Sequence, residues 1–247
     1  MTYNHRRDAI LELLKEKNTL YFSEIEEAVS TSAATLRRDI KKMSDNKMIQ
    51  RFHGGISLIP YVEDEIPIHE RQSMDFDHKQ DIAKYAASLI RSGDMIFLDS
   101  GTTTLAMIDF ISETSITVVT NGILHIQKLK EKRINSFLLC GFLRYRSNAL
   151  LGSETINLIK KFKFDKAFLG SNAIDYNQGL STTDDHEAAL KDATISHSNQ
   201  VYILADSSKF NRKSLCPIQI SDASKILLIT DKQQPLLKNF KVMVVSE

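Results

Sequence analysis

Ser32-Ala33-Ala34-Thr35-Leu36-Arg37-Arg38-Asp39-Ile40-Lys41-Lys42 reads as a capped helix with an apolar back and a cationic front. Ser32 is a favourable N-cap, because its hydroxyl can accept from a first-turn amide that lacks a carbonyl partner. Leu36, Ile40 and Met43 recur at helical spacing and can face a core, while Arg38, Lys41 and Lys42 point the other way. Upstream, Ile10, Leu13 and Leu14 give a first helix over residues 5–17. Ser23-Glu24-Ile25-Glu26 has a capping-box pattern that would open a second, with Ile25, Ala28 and Val29 inward. Ser30-Thr31 makes the turn, and the third helix runs from about 33 to 46. Downstream, Met48–Phe52 and Ile56–Ile59 read as short strands about the tight turn His53-Gly54-Gly55. Three helices and a hairpin make a winged helix-turn-helix. Helix three would then read the major groove of duplex DNA through Ser32, Thr35, Arg37, Arg38, Lys41 and Lys42, and the wing would bring Arg51 and His53 to the phosphates or the minor groove. A charged helix alone is more often a solvated face; the wing directly behind it turns the reading toward DNA.

The whole chain is close to neutral, at +1, but its charge is unevenly spread. Residues 31–56 hold six basic side chains against two acidic ones, and residues 60–78 one basic against six acidic. A basic patch followed by an acidic connector fits a small DNA-binding head joined to another domain. At 247 residues the chain has room for two domains, and a hydrophobic fraction of 42% supports a large core. There is no apolar run of the roughly 18 residues that a membrane span needs, and the N-terminus leads into an amphipathic pattern rather than a signal-peptide core. Cys140 and Cys216 lie far apart without metal-ligand spacing. They are expected to be buried free thiols of a reducing compartment, the cytoplasm. Neither a metal nor an organic cofactor is called for.

The expected organisation is a winged helix over 1–57, a linker over 58–78 with a short helix at Ile68–Met74, and an α/β domain over 79–247. Ile82, Ala83, Ala86, Leu89 and Ile90 form a helical face ending at Gly93. Strand candidates follow at Met95–Leu98, Ile116–Thr120, Ile134–Leu139, Lys166–Gly170, Val201–Ala205, Ile226–Thr230 and Val242–Val245. Helices fit near 103–112, 122–131, 153–162, 185–197 and 233–238. This alternation predicts an α/β fold with a doubly wound, mostly parallel sheet.

Open sheets of this kind bind ligands at the carboxyl ends of their strands. Asp99-Ser100-Gly101-Thr102-Thr103-Thr104 follows the first strand and opens a helix, so free amides and hydroxyls can surround an anion there. It lacks the Gly-Lys-Ser/Thr ending of a nucleotide-triphosphate loop. Asn121, Gly141 and Ser171 stand at further strand ends. Lys209 can add a point charge for phosphate, and Glu187 can accept sugar hydroxyls. Each has a bland reading as a turn residue, a surface lysine or a first-turn acid; their coincidence at one sheet edge argues for a site. The carboxylates Asp99, Asp184, Asp185 and Glu187 leave open a second reading, a sugar-phosphate isomerase-like enzyme with an accessory DNA-binding head.

Over nearly its full length the chain resembles the DeoR family of transcription regulators. The head motifs are Thr35-Leu36-Arg37-Arg38-Asp39-Ile40 and Arg51-Phe52-His53-Gly54-Gly55. The sensor motifs are Asp99–Thr104, Val119-Thr120-Asn121-Gly122, Asp165-Lys166-Ala167-Phe168-Leu169-Gly170 and Asp206-Ser207-Ser208-Lys209-Phe210. The resemblance implies a sugar-catabolism regulator, usually a repressor, that binds operator DNA and is controlled by a phosphorylated sugar. It also implies a sensor fold related to ribose-5-phosphate isomerase and CoA-transferase-like proteins, and a homo-oligomer, dimer or tetramer. Cys140-Gly141 stands where the family often has two glycines.

Overall fold

Thr2 caps the first helix through its side chain, which accepts from the His5 amide. α1 runs Tyr3–Lys17, and Asn18 ends it in the left-handed region at φ 61°. β1 (Thr19–Tyr21), α2 (Phe22–Val29), α3 (Ala33–Asp45), β2 (Gln50–Phe52), β3 (Gly55–Ser57) and β4 (Tyr61–Val62) follow. The structure is a computed structural model that describes residues 2–46, 48–58, 61–62, 64–176, 178–233 and 240–245. It divides into two units, Met1–Glu63 with Asn211–Lys213, and Asp64–Phe210 with Ser214–Glu247.

In the first unit the three helices and an antiparallel sheet of order β1-β3-β2 enclose Ile10, Leu14, Leu20, Ile25, Val29, Leu36, Ile40, Met43, Ile49 and Ile56. The hairpin turns at Gly54, whose φ of 86° is open to glycine and strained for any side chain. Buried Asp39 on α3 accepts from Arg6 of α1 at 2.6 Å, which ties the reading helix to its support. The second helix begins at Phe22, not Ser23: Glu24 accepts from the Tyr21 amide at 2.8 Å, so the side chain that caps the start is Glu24 acting on Tyr21 rather than a Ser23/Glu26 box. The cause is β1. Three residues carry no readable period, and they become a strand only by pairing with β3.

The remaining elements are α4 (Ile68–Ser73), α5 (Phe76–Ser88), β5 (Met95–Leu98), α6 (Thr102–Phe110), β6 (Thr117–Thr120), α7 (Ile123–Glu131), β7 (Asn135–Leu138), β8 (Phe142–Arg144), β9 (Ala149–Leu151) and α8 (Ser153–Ile159). After them come β10 (Phe164–Gly170), β11 (Ala173–Asp175), β12 (Gly179–Thr182), α9 (Asp185–Ser196), β13 (Ser198–Leu204), β14 (Lys213–Ser214), β15 (Cys216–Pro217), β16 (Ile226–Thr230) and β17 (Lys241–Val244). The seven expected strands form one parallel sheet, in the order β17-β16-β13-β10-β5-β6-β7. Side chains alternate strictly across it. Phe97, Val119, Leu169 and Ile203 enter one core; Ile96, Leu98, Phe168 and Tyr202 enter the other. The strand order reverses between β5 and β10. That reversal opens a crevice at their carboxyl ends, the usual ligand position of an open α/β sheet.

The short antiparallel pieces β8–β9 and β11-β12-β15 were outside the sequence expectation. Residues 64–78, expected as linker, fold with the α/β unit instead, because Glu65 and Ile68 are buried there, each 3% exposed. The helix expected at 233–238 falls almost wholly outside the described residues. Cys140 is exposed and Cys216 partly so, contrary to the expectation of buried thiols. Cys140 follows β7, the end strand of the sheet, whose outer side pairs with no strand among the described residues. Among the described residues no helix is long and apolar enough to cross a membrane.

Candidate DNA-reading face and effector crevice

α3 is built so that its cations face outward. Leu36, Asp39, Ile40 and Met43 are buried, and Ser32, Arg37, Arg38, Lys41 and Lys42 are exposed with Thr35 between the two sets. Ser32 accepts from the Thr35 amide at 3.3 Å and so fixes the start of the helix. The Lys42 ammonium sits 4.1 Å from the Tyr3 ring centroid, which engages that cation within the protein. Arg51 and His53 are exposed on the wing.

In the second unit, Asp99 ends β5 in full burial. Its carboxylate accepts from the Ser100 amide at 2.9 Å and the Gly170 amide at 3.0 Å, bridging the two strand ends at the reversal point. Lys191 of α9 forms a buried ion pair with the same carboxylate and a second with Glu187 at 2.9 Å. Burial pushes the Asp99 pKa up, but the Lys191 charge and hydrogen bond, with the two amides, outweigh it and leave the group below its ordinary value. Burial likewise works against the Lys191 charge, yet Asp99 and Glu187 raise its pKa. The crevice floor is therefore a fixed charge array.

Gly122 follows β6, where a Cβ would overlap the His125 ring and lie 3.0 Å from the Ser100 Cα; glycine lets this strand end approach the Asp99 loop. Asn121 is fully buried, and neither its side-chain oxygen nor its nitrogen has a hydrogen-bond partner among the described residues. His125 is pushed down to about 4, first by burial, and is neutral at physiological pH. Its Nε2 lies 3.1 Å from the Thr104 hydroxyl, and its Nδ1 is buried without a hydrogen-bond partner among the described residues. Ser147 and Thr183 add buried hydroxyls in the same condition. Buried polar atoms are nearly always paired, so Asn121 and His125, on either side of the Gly122 that meets the Asp99 loop, mark a place shaped for a polar ligand.

Of the residues singled out by sequence, Asp99, Ser100, Asn121 and Glu187 converge on this crevice. Thr102 and Thr103 stand in the first turn of α6, where amides point outward without helical partners. The Thr104 hydroxyl is turned inward, 2.5 Å from the Asp99 carbonyl and 2.8 Å from that of Gly101. Ser171 donates to the Ala173 carbonyl at 2.8 Å, a local role. Gly141, at φ 150°, packs where a Cβ would lie 2.6 Å from the Leu151 carbonyl oxygen, so its place is steric. Lys209 lies 3.9 Å from Asp206. Thr102 also borders a shallow cleft of about 230 Å³ between α5, α6 and α7, lined further by Phe76, Lys79 and Lys128. Both cations there are engaged, Lys79 by the Arg71 and Met74 carbonyls and Lys128 by Asp109. Sequence reasoning missed Lys191, Glu65, Arg71 and Arg144. Only Lys191 had a readable signal, its i+4 spacing from Glu187.

A family model for the DeoR-like helix-turn-helix domain matches residues 6–60, and one for the DeoR C terminal sensor domain matches residues 75–232. The chain is 35% identical to the uncharacterized HTH-type transcriptional regulator FruR of Bacillus subtilis (strain 168), over 97% of this chain and 96% of the relative. It is 32% identical to the glycerol-3-phosphate regulon repressor of Escherichia coli (strain K12), over 87% and 86% of the two chains. The lactose phosphotransferase system repressor of Staphylococcus aureus (strain NCTC 8325) is 29% identical over 92% of each. Among solved structures, ribose 5-phosphate isomerase A from Methanocaldococcus jannaschii is similar at TM-score 0.41 and 18% identity over 54% of each chain, too slight a likeness to carry an argument.

Proposed function

The chain belongs to the DeoR family of transcription regulators, and from that premise we propose that it represses a sugar-catabolism operon under the control of a phosphorylated sugar. The observation that carries this reading is the presence in one chain of an exposed basic winged helix and a buried polar crevice at the strand-order reversal. Two relatives named as repressors match 87% and 92% of the chain. The enzyme reading is not favoured: of the carboxylates it would draw on, Asp99 and Glu187 are held in ion pairs by Lys191 and Asp184 by Arg144, and Asp185 is exposed.

In this proposal the first-turn amides of α6, with Ser100, Thr102 and Thr103, hold the phosphate; Lys209 adds charge, and Asn121 orients the sugar. Coupling of an effector to operator binding is typically ~1–3 kcal/mol. Anisotropy on the promoter region, titrated with glycerol 3-phosphate, hexose phosphates and the matching unphosphorylated sugars, tests it. A phosphorylated member of one pair shifts operator affinity, roughly 5–150-fold, and Thr103→Val with Lys209→Ala removes most of the shift. Equal effects from both members of every pair would refute the reading.

We also propose a homo-oligomer built on the β7 edge. Phe137 and Leu138 of β7 are exposed, and Phe142, Leu143 and Tyr145 beyond it are 77%, 46% and 76% exposed. An open edge strand without a charged or proline guard is an association template, and two-fold pairing matches two operator half-sites. Light scattering of Phe142→Lys with Tyr145→Ser gives a smaller species than the wild type. A wild-type monomer at micromolar concentration removes this proposal.

A further inference from the structure

Near the start of the α/β unit, Glu65 carries its carboxylate into a cationic enclosure, with a side chain 2% exposed. One oxygen accepts from Arg71 at 2.6 Å. The other lies 3.7 Å from the Arg144 Nε and has no hydrogen-bond partner among the described residues. The Nε atoms of Arg71 and Arg144 are buried and likewise have no hydrogen-bond partner among the described residues. The backbone is held firmly around them: Arg146 donates to the Glu65 carbonyl at 3.2 Å, and the Ile68 amide donates to the Arg146 carbonyl at 2.8 Å. Arg144 also pairs with Asp184, and Glu187, itself bound to Lys191, repels the Glu65 carboxylate. Burial first, then Glu187, pushes the Glu65 carboxyl up to about 7 against the pull of Arg71, Arg144 and Lys191. The carboxylate is therefore a poor match for its surroundings. Two guanidinium forks face it, and it leaves an N–H of each unused. A phosphate group offers more oxygens and up to a second charge, the geometry arginine forks suit best.

We infer that Arg71 and Arg144 form a seat for a phosphate group, that Glu65 occupies this seat as an internal stand-in, and that an arriving phosphate displaces the Glu65 carboxylate. The seat is distinct from the loop at residues 100–104, and it deepens, and rests on, the reading of a phosphosugar-responsive repressor. Its consequence is mechanical. Glu65 lies just past the boundary between the two units, so displacement releases the stretch of chain that leads directly into the DNA-binding unit. A ligand can shift operator binding only through such a contact that differs between the two states.

The full-length protein tests this with inorganic phosphate as the first probe. In ¹⁵N spectra the Nε resonances of Arg71 and Arg144, assigned with the Arg71→Lys and Arg144→Lys variants, move on adding phosphate to the wild type. By calorimetry Glu65→Gln binds phosphate at least tenfold more tightly than the wild type, and adding Arg144→Gln abolishes the gain. Fructose 1,6-bisphosphate against fructose 6-phosphate separates the sources. An effector that brings its own second phosphate gains tenfold or more in the bisphosphate form, a gain lost in Arg144→Gln. A seat for free phosphate instead shows fructose 6-phosphate and inorganic phosphate binding together. Unmoved Nε resonances, with Glu65→Gln no tighter than the wild type, overturn the seat even if phosphosugars still shift operator affinity. Conversely, a phosphate-filled seat with no effect of any phosphorylated sugar on operator binding overturns the phosphosugar reading and leaves the seat standing.

Discussion

Lys191→Met destabilises the α/β unit by about 3–5 kcal/mol, the range for removing one member of a buried ion pair. The loss comes less from the missing attraction than from what remains, a fully buried Asp99 whose charge the Ser100 and Gly170 amides offset only in part. The pH dependence identifies the cause. In the wild type the Asp99 pKa is lowered, so its contribution is full above the unfolded carboxyl value and is lost as pH falls through the folded one. In the variant, burial without a cation raises that pKa, and the sign reverses. Destabilisation then grows as pH rises above about 4, the unfolded value, and shrinks toward it. Urea unfolding followed by far-UV circular dichroism at pH 5 and pH 7 measures this. Asp99→Asn added to Lys191→Met recovers part of the loss, because it removes the buried Asp99 charge while Glu187 still lacks its Lys191 partner. A loss under about 1 kcal/mol, equal at both pH values, would show that the pair is not buried in solution.

Arg37→Ala with Arg38→Ala weakens operator binding about 30-fold or more while leaving the thermal transition unchanged. Each base contact is worth ~1–3 kcal/mol, and two lost together fall at or above the lower end of that sum. Both arginines are exposed, and the core they stand on, Leu36, Ile40 and Met43, is untouched. Salt separates the two kinds of contact. If either arginine meets phosphate, the slope of log affinity against log salt falls by ~0.9 per contact; if both meet bases, the slope is unchanged. Lys42→Ala has a smaller effect, because its ammonium is already engaged over the Tyr3 ring. Wild-type affinity for the double variant at every salt concentration would remove α3 from the DNA-reading role.

What the amino-acid order determined by itself were the features whose physics is local or periodic. The Ser32 cap and the Leu36, Ile40, Met43 stripe follow from helix geometry, and the Gly54 turn follows from backbone sterics. The five inner strands of the parallel sheet, β16, β13, β10, β5 and β6, were legible because strands buried on both faces are nearly continuous apolar runs. The Asp99–Thr104 loop stood out as a strand end with a glycine and hydroxyls at a helix start. Tertiary structure decided the rest. β1 exists only because β3 lies beside it, and Cys140 is exposed only because β7 is the last strand. Thr104 and Ser171 carry hydroxyls like their neighbours, but the fold turns theirs onto carbonyls. Glu65 and Arg71 read as part of a solvated acidic connector until the fold buried one against the other and set Arg144, far along the chain, beside them. Charge–charge contacts between distant residues leave no period in a sequence. Their energy depends on burial and on separations of a few ångströms, and both come into being only when the chain folds.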